Sequence, residues 1–237
     1  MTQSSKIPPR AIEGPDASGK VVGEPDAELA ADLIVHLARL ARARDDRPGM
    51  EAAPRLSAAQ WAALRYMSRA NPFSRTPSAF ARYHGTTRGT ASQTIKSLAA
   101  AGFLVSSRDP RDRRSIRFSL TKAGEALLAD DGACTLVAAV SELPAGEREA
   151  LISSMRRIAG EIATRHGEPC FGCCQDCRHF RDGEDCPNFC DQVGAPVKIE
   201  EQHLLCADFE AASPHADRSR AQGRGQTGSL NSCSSKR

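Results

Sequence analysis

Four leucines near the start of the chain recur at helical spacing. The intervals between them are four, four and three residues, so all of them share one face of a helix: Leu29, Leu33, Leu37 and Leu40. We predict a helix that begins near Pro25 and ends near Pro48-Gly49, because this pair cannot continue it.

A second region of helical spacing follows residue 120. Thr121 is expected to cap a long helix that reaches about Leu143, and Pro144 to begin a further helix that ends near His166. This last helix repeats apolar residues at intervals of four, three and four, which forms a seam able to pair with another helix: Leu151, Met155, Ile158 and Ile162.

Shorter helices are predicted between these two regions. Ser57 and Gln60 have the spacing of a capping box, and an apolar stripe follows on the same helix: Trp61, Leu64 and Met67. Thr76-Pro77 combines a cap residue with proline in the first turn, and so opens a short helix that ends near Gly85.

The next helix is predicted from Thr86 or Thr87 to Ala101, with Gly102 as its C-cap. Its apolar positions turn one face inward: Ala91, Ile95 and Leu98. Two short helices joined by a glycine-containing turn are typical of a helix-turn-helix.

Two strand-like runs come directly after this helix. They are FLVSSR and SIRFSL, and the second alternates apolar and polar residues. The segment DPRDRR between them predicts a β-hairpin with a charged tip. The expected fold class is therefore mainly α with a small β-wing: a winged helix-turn-helix with long N- and C-terminal dimerisation helices.

Composition agrees with a helical core built from alanine and branched aliphatic residues, since only 5% of the 237 residues are aromatic. The chain contains no run of about 18 apolar residues, which is the length that a membrane-spanning helix needs. The first 20 residues also lack the apolar stretch of a secretory signal. We therefore expect a cytoplasmic protein without a membrane partner. We also expect no enzyme, because the chain has no glycine-rich phosphate loop, no Ser/His/Asp arrangement and no paired carboxylates in an apolar setting.

Charge separates the middle of the chain from its C-terminal part. Residues 82–122 contain nine Lys/Arg and two Asp, for a net charge of +7. Residues 168–210 contain three Lys/Arg and ten Asp/Glu, for a net charge of −7. The basic stretch suits a polyanion such as DNA, which would repel the acidic one.

The basic stretch includes polar side chains suited to a DNA groove. Arg88, Thr90, Ser92 and Gln93 lie near the N-terminal end of the predicted helix. Arginine can hold a guanine edge with two hydrogen bonds, and glutamine an adenine edge. The alternative is an ordinary amphipathic surface helix.

The hairpin tip adds a cluster of arginines suited to a narrow minor groove: Arg108, Arg111, Arg113 and Arg114. We expect Asp109 and Asp112 to orient these arginines through charge-assisted hydrogen bonds. The alternative is a solvated charged turn.

The segments LSAAQWAALRYM and TPSAFARYHGTTRGTASQTIKSLAAAGFLVSSRDPRDRRSIRFSLTKAGEALL resemble the MarR family of winged-helix transcription regulators. The resemblance covers about residues 25–166. It implies a homodimer that binds double-stranded DNA, with recognition helices in successive major grooves and wings at the minor grooves. It also implies regulation, which we expect to be repression, and a possible small-molecule effector.

By position, the resemblance implies these groove-facing residues: Arg88, Thr90, Ser92, Gln93 and Thr94. It implies Arg111 and Arg113 as wing contacts. The family usually ends near His166, whereas this chain continues into a cysteine-rich segment.

Seven of the nine cysteines lie between Cys170 and Cys206. Clustered cysteines in a reducing compartment more often bind metal than form disulfides. Two C-x2-C pairs overlap here, and each lets two thiolates reach one ion from a tight turn. The favoured ligand set is Cys174, Cys177, Cys190 and Cys206.

The remaining cysteines, Cys170, Cys173 and Cys186, are further candidates for a second site or for redox partners, and His179 and His203 are possible substitutes as ligands. Spacing does not separate zinc from an iron–sulfur cluster. The alternative is a set of reduced or disulfide-linked cysteines without an ion. Cys134 is expected to be a small core residue.

The predicted organisation has four parts. A disordered tail spans 1–24, the winged-helix and dimerisation domain 25–166, the cysteine-rich metal-binding segment 167–210 and a second disordered tail 211–237. The favoured function is a sequence-specific DNA-binding regulator that senses metal or redox state through its C-terminal cysteines. The alternative is a zinc-stabilised scaffold or a redox protein whose winged helix contacts other proteins.

Overall fold

The computed structural model of the protein describes residues 24–42, 56–109, 115–129, 131–183 and 186–212. Its helices are α1 (Pro25–Arg42), α2 (Ala58–Arg69), α3 (Pro77–His84), α4 (Arg88–Ala100), α5 (Lys122–Ala129), α6 (Gly132–Ser141) and α7 (Ala145–His166). Its strands are β1 (Leu104–Arg108), β2 (Ile116–Leu120), β3 (Phe180–Gly183), β4 (Cys186–Cys190) and β5 (Ala195–Pro196). The mainly helical fold with a small β-wing is confirmed. Both predicted tails lie outside the described residues except at Glu24, Ala211 and Ala212.

The three short helices form as predicted because their caps are local. Ser57 and Gln60 make both hydrogen bonds of a capping box at the start of α2. Thr76 caps α3 by accepting a hydrogen bond from the N–H of Ala79, and Gly85 ends it in the left-handed region. Thr87 caps α4 in the same way, through the N–H of Thr90.

The core lies where α2, α3 and α4 meet the hairpin. The predicted inward face of α4 is fully buried: Ala91, Ile95 and Leu98. From α2, Leu64 and Met67 are equally buried, whereas Trp61 is only half-buried. Phe80 of α3 completes this core, which therefore holds the helix-turn-helix as one packed unit.

The predicted hairpin is confirmed. Strands β1 and β2 pair antiparallel from Leu104 opposite Leu120 to Arg108 opposite Ile116. The N–H of Phe118 also donates to the carbonyl of Arg75, which ties the hairpin to the segment before α3.

Contacts of Thr121 and Gly124 explain the sequence L-T-K-A-G at the end of the hairpin. The Thr121 hydroxyl donates to the Gly102 carbonyl at 2.7 Å and accepts a hydrogen bond from the Gly124 N–H. A Cβ at Gly124 would collide with the Phe103 carbonyl oxygen and with Leu120. Only glycine therefore lets α5 begin this close to the end of α4.

The prediction of one long helix from Thr121 to Leu143 is wrong. Helix α5 ends at Ala129, and α6 starts at Gly132. Asp131 caps α6 by accepting from the Ala133 N–H, and its carboxylate pairs with Arg65 of α2. An N-cap residue has non-helical dihedrals, so the capping and the ion pair break the helix there.

The long helices carry their apolar seams on the outside of the single chain. Helix α1 packs along α6, yet the four predicted leucines of α1 remain exposed. No residue of α7 is buried, and Met155, Ile158 and Ile162 of its predicted seam are exposed. Cys134 is also exposed, on α6, so its prediction as a core residue is wrong.

The cysteine-rich segment forms a small antiparallel sheet in the order β3, β4, β5. Its last part lies against the winged helix. Leu205 donates its N–H to the Arg69 carbonyl at 2.7 Å and accepts from the Asn71 N–H at 2.8 Å. Ala207 is buried in the main core. The segment therefore packs on the turn between α2 and α3.

Of the helices in the described ranges, none combines the length and the apolar character needed to cross a bilayer.

Candidate nucleic-acid interface and cysteine cluster

Helix α4 presents a polar face away from the core. Arg88, Thr90 and Gln93 are exposed, as is Lys96 one turn after Gln93. Ser92 and Thr94 are half-buried. Since the opposite face is fully buried, the helix is held rigidly with these side chains outward.

Two of the predicted groove-facing threonines bond within their own helix. The Thr94 hydroxyl donates to the Thr90 carbonyl at 3.0 Å, and the Thr90 hydroxyl lies 2.9 Å from that of Thr87. A threonine bonded in this way still offers an acceptor lone pair and a methyl group. Arg88 and Gln93 thus remain the long side chains able to make paired hydrogen bonds to a base edge.

In the described part of the wing, an aspartate forms an ion pair with an arginine of the opposite strand. Asp109, nearly buried, pairs with Arg117 across the hairpin, and its N–H donates to the Ser115 carbonyl. Arg117 is not one of the four tip arginines that Asp109 is predicted to orient, so that role stays a prediction. Arg111, Asp112, Arg113 and Arg114 lie outside the described residues, so the predicted wing contacts stay predictions.

The comparison with protein families covers this same region. Residues 56–115 match the model of the MarR family. This part of the chain is therefore similar to the MarR family. The match spans α2, α3, α4, β1 and the segment between β1 and β2, and therefore includes every predicted groove-facing residue.

Solved structures similar to the chain carry related descriptions. A transcriptional regulator from Thermotoga maritima is 17% identical over 62% of this chain and 99% of its own, with a TM-score of 0.39. A MarR transcriptional regulator from Methanosarcina mazei is 22% identical over 59% of this chain and 96% of its own, with a TM-score of 0.40. A mutant of MepR from S. aureus, bound to an oligodeoxyribonucleotide, is 17% identical over 59% and 99%, with a TM-score of 0.36. No curated protein matches the chain.

The cysteine-rich segment lies outside the MarR match, and it brings the four favoured cysteines together. Cys174, Cys177, Cys190 and Cys206 line one cavity; we refer to them as the four-cysteine cluster. Cys174, Cys190 and Cys206 are buried and Cys177 is half-buried. All four are free thiols.

The walls of this cavity are partly apolar and come from both parts of the chain. Phe180, Val193 and Val197 belong to the cysteine-rich segment, whereas Asn71 and Phe73 belong to the turn between α2 and α3. The contribution of residues 71 and 73 was missed from the sequence. Nothing local to them signals a contact with Cys206, which is more than a hundred residues away.

Burial controls the protonation of two of these thiols, Cys174 and Cys206. Burial, together with repulsion from the neighbouring Cys206, Cys190 and Cys177, raises the pKa of Cys174 to about 12. Burial also raises the pKa of Cys206, opposed by hydrogen bonds from the Asp208 backbone and from the Asn71 side chain. Without a cation, the Cys174 and Cys206 thiols are therefore neutral.

The other candidates whose side chains the structure describes do not line this cavity. Cys173 is half-buried and its thiol donates to the His203 carbonyl at 3.3 Å. Cys170, Cys173, His179 and His203 are not among the described residues that line the cavity. Cys186 begins β4, but its side chain is outside the described part of the chain.

The cluster is not a preformed coordination sphere. Over the described ranges, no group of three or more His, Cys, Asp or Glu side chains already has the arrangement that holds a metal ion.

Proposed function

We propose that the protein is a sequence-specific DNA-binding regulator that acts as a dimer and represses transcription. The observation that carries the proposal is the burial pattern of α4. It buries Ala91, Ile95 and Leu98 completely while Arg88 and Gln93 remain exposed. A major groove admits one α-helix, and a helix must be rigidly backed by its core to read bases there.

Charge supports the same partner. The stretch from Arg82 to Lys122, which contains α4 and the wing, has a net charge of +7. This basic stretch is suited to the phosphate backbone, which supplies most of the non-specific affinity of DNA-binding proteins. The N-terminus of α4 adds free amides that attract a phosphate.

The exposed apolar seams support a dimer. Leu29, Leu33 and Leu37 on α1, with Ile158 and Ile162 on α7, are large apolar residues on the outside of one chain. An exposed apolar stripe of this length costs free energy in water, and a second copy would cover it. A dimer would present two α4 helices to one duplex, and occupation of that site would exclude other proteins from it.

A small-molecule effector is part of the proposal. A cleft of about 470 Å³ lies between α2, β2 and α5, with Arg75, Ser119 and Glu125 in its lining. Ligand clefts in proteins are typically of this size. Burial lowers the pKa of Arg75. The position of the cleft between the wing and α5 would let a bound molecule alter the wing.

The experiment is duplex binding as a function of salt. Random-library selection with the full chain should recover a preferred sequence, and its affinity should fall steeply with salt because bound counterions are released. A mutated version of the selected duplex is the control for sequence preference. Affinity that is independent of both salt and sequence would contradict the proposal and favour a winged helix that contacts protein.

A further inference from the structure

The four-cysteine cluster draws its members from distant points of the cysteine-rich segment. Cys174 begins a single 3-10 turn and Cys177 follows it, Cys190 ends β4, and Cys206 forms an isolated β-bridge with Gly172. The cavity between them has an inner volume of about 10 Å³, the space for one water-sized guest. Four cysteine thiolates around one ion are a usual ligand set of structural metal sites.

The apolar core of the segment itself is small within the described residues. It consists of Cys174, Cys190 and Val197, with Phe180 and Val193 partly buried beside them. A fold this small seldom reaches stability on apolar burial alone, and a bound metal is a common substitute. None of the described cysteines forms a disulfide, so a covalent cross-link does not take that role in the described part.

We propose that the four-cysteine cluster binds a metal centre through four thiolates, and that this centre attaches the cysteine-rich segment to the turn between α2 and α3. On binding, the four thiols release their protons to solvent and the sulfur atoms close on the metal. The shared chemistry is tetrathiolate ligation, which holds either a zinc ion or an iron–sulfur cluster. The space for one water-sized guest fits a single ion as it stands, whereas a cluster would require the four thiols to move apart.

The attachment follows from the contacts on either side of Cys206. Leu205 exchanges two backbone hydrogen bonds with Arg69 and Asn71. The N–H of Ala207 donates to the Ser74 hydroxyl at 2.9 Å, and both residues are buried. A metal bound to Cys206 would therefore hold these bonds in place.

Two ion pairs extend this attachment to other helices. Asp208 pairs with Arg82 of α3 at 2.9 Å, and Asp176 pairs with Arg156 of α7 at 2.8 Å. Both pairs are exposed and contribute little stability by themselves. They nevertheless show that the segment lies between α3, the first helix of the helix-turn-helix, and the seam-bearing α7. The influence of the metal on DNA binding, unlike metal binding itself, rests on the proposed function.

Metal content tests the site. The full-length chain, purified without air, should carry one zinc per chain or, alternatively, iron with acid-labile sulfide. Cys190→Ser and Cys206→Ser should lose that metal. Cys173→Ser is the matched control: it changes an adjacent half-buried cysteine that is not among the described cavity-lining residues, and should keep the metal.

A zinc ion and an iron–sulfur cluster give different absorption spectra. A zinc protein is colourless, and its zinc should exchange for Co²⁺ with the sulfur-to-cobalt absorption of thiolate ligation. A cluster absorbs visible light as purified and should be rebuilt by Fe²⁺ with sulfide. Either result supports the centre. Wild-type chain that is purified without metal and takes up neither Co²⁺ nor iron with sulfide would overturn it, as would equal losses in Cys173→Ser and Cys190→Ser.

Duplex binding tests the attachment. Relative to Cys173→Ser, Cys206→Ser should bind the selected duplex about tenfold more weakly, a typical coupling between two sites. If Cys206→Ser does not fold, chelation of the metal from wild-type chain replaces it. Loss of metal with unchanged duplex affinity would overturn the attachment but not the site. Failure of the wild-type chain to bind any duplex would overturn the proposed function and leave the metal result standing.

Discussion

Arg65 of α2 donates two hydrogen bonds to the carboxylate of Asp131, the residue directly before α6. The Asp131 side chain is 3% exposed and also accepts from the Ala133 N–H. One carboxylate therefore caps α6 and fixes it to the helix-turn-helix core. This relationship determines where the helix after the wing is broken.

Replacement of Asp131 tests this double role. Asp131→Asn keeps a good N-cap but removes the charge opposite Arg65, and should lower the free energy of unfolding by about 1.5–3 kcal/mol. Asp131→Ala also removes the cap and should cost about 1 kcal/mol more. Urea denaturation measures both. The control is Glu161→Gln, which breaks an exposed pair with Arg165 and should cost less than about 0.5 kcal/mol. Equal losses in all three would contradict the role of Asp131.

Gln93 and Lys96 are both exposed on α4. We expect Gln93 to contact a base edge and Lys96 to contact the phosphate backbone of DNA. Gln93→Ala should change the preferred sequence, with a loss of about 1–3 kcal/mol at one base position. Lys96→Ala should weaken binding to all duplexes alike and reduce the salt slope by about one unit. Binding to a panel of single-base variants of the selected duplex distinguishes the two. A uniform loss in Gln93→Ala would show that its side chain does not read a base.

The seam on α7 predicts the oligomeric state. Ile158→Glu places a charge on the exposed apolar seam and should convert a dimer into monomers, because a charge buried in an interface without a partner is strongly unfavourable. Sedimentation equilibrium measures this. Ser153→Glu introduces the same charge on the polar face of the same helix and should remain dimeric. If Ile158→Glu also remains dimeric, another surface forms the interface.

Tyr66 predicts a pH dependence of stability. Its hydroxyl donates to the Ser74 carbonyl at 2.9 Å, and burial raises its pKa above the usual value. The unfolded chain ionises this tyrosine near pH 10 while the folded chain keeps it neutral, so its contribution is present below about pH 10 and is lost as pH rises.

Tyr66→Phe should therefore lower the free energy of unfolding by about 1 kcal/mol at neutral pH. It should also make the decline above about pH 10 shallower than in the wild type. Denaturation curves at several pH values measure this difference. Parallel declines would contradict the assignment to Tyr66.

Signals close together in the chain were sufficient for much of the fold. The caps at Ser57, Thr76 and Thr87 each satisfy backbone groups within three residues, and the hairpin pairs residues at most sixteen apart. The same locality explains why the exposed Arg88 and Gln93 were found. The break at Asp131 was not predicted because its partner Arg65 is 66 residues away.

Spacing in the sequence predicts only two of the four cysteines in the four-cysteine cluster as neighbours. A C-x2-C pair marks Cys174 and Cys177 as neighbours, but no spacing rule selects Cys190 and Cys206 over the others. Burial around one cavity distinguishes them from Cys173.

By itself, the sequence determined the helix-turn-helix, its wing and the outward polar face of α4, because periodicity and capping act over one or two turns of chain. Only the tertiary structure decided that residues 205–208 lie on the turn between α2 and α3. Contacts between such distant residues depend on how whole elements pack, and packing is a property of shape that leaves no periodic pattern in the chain.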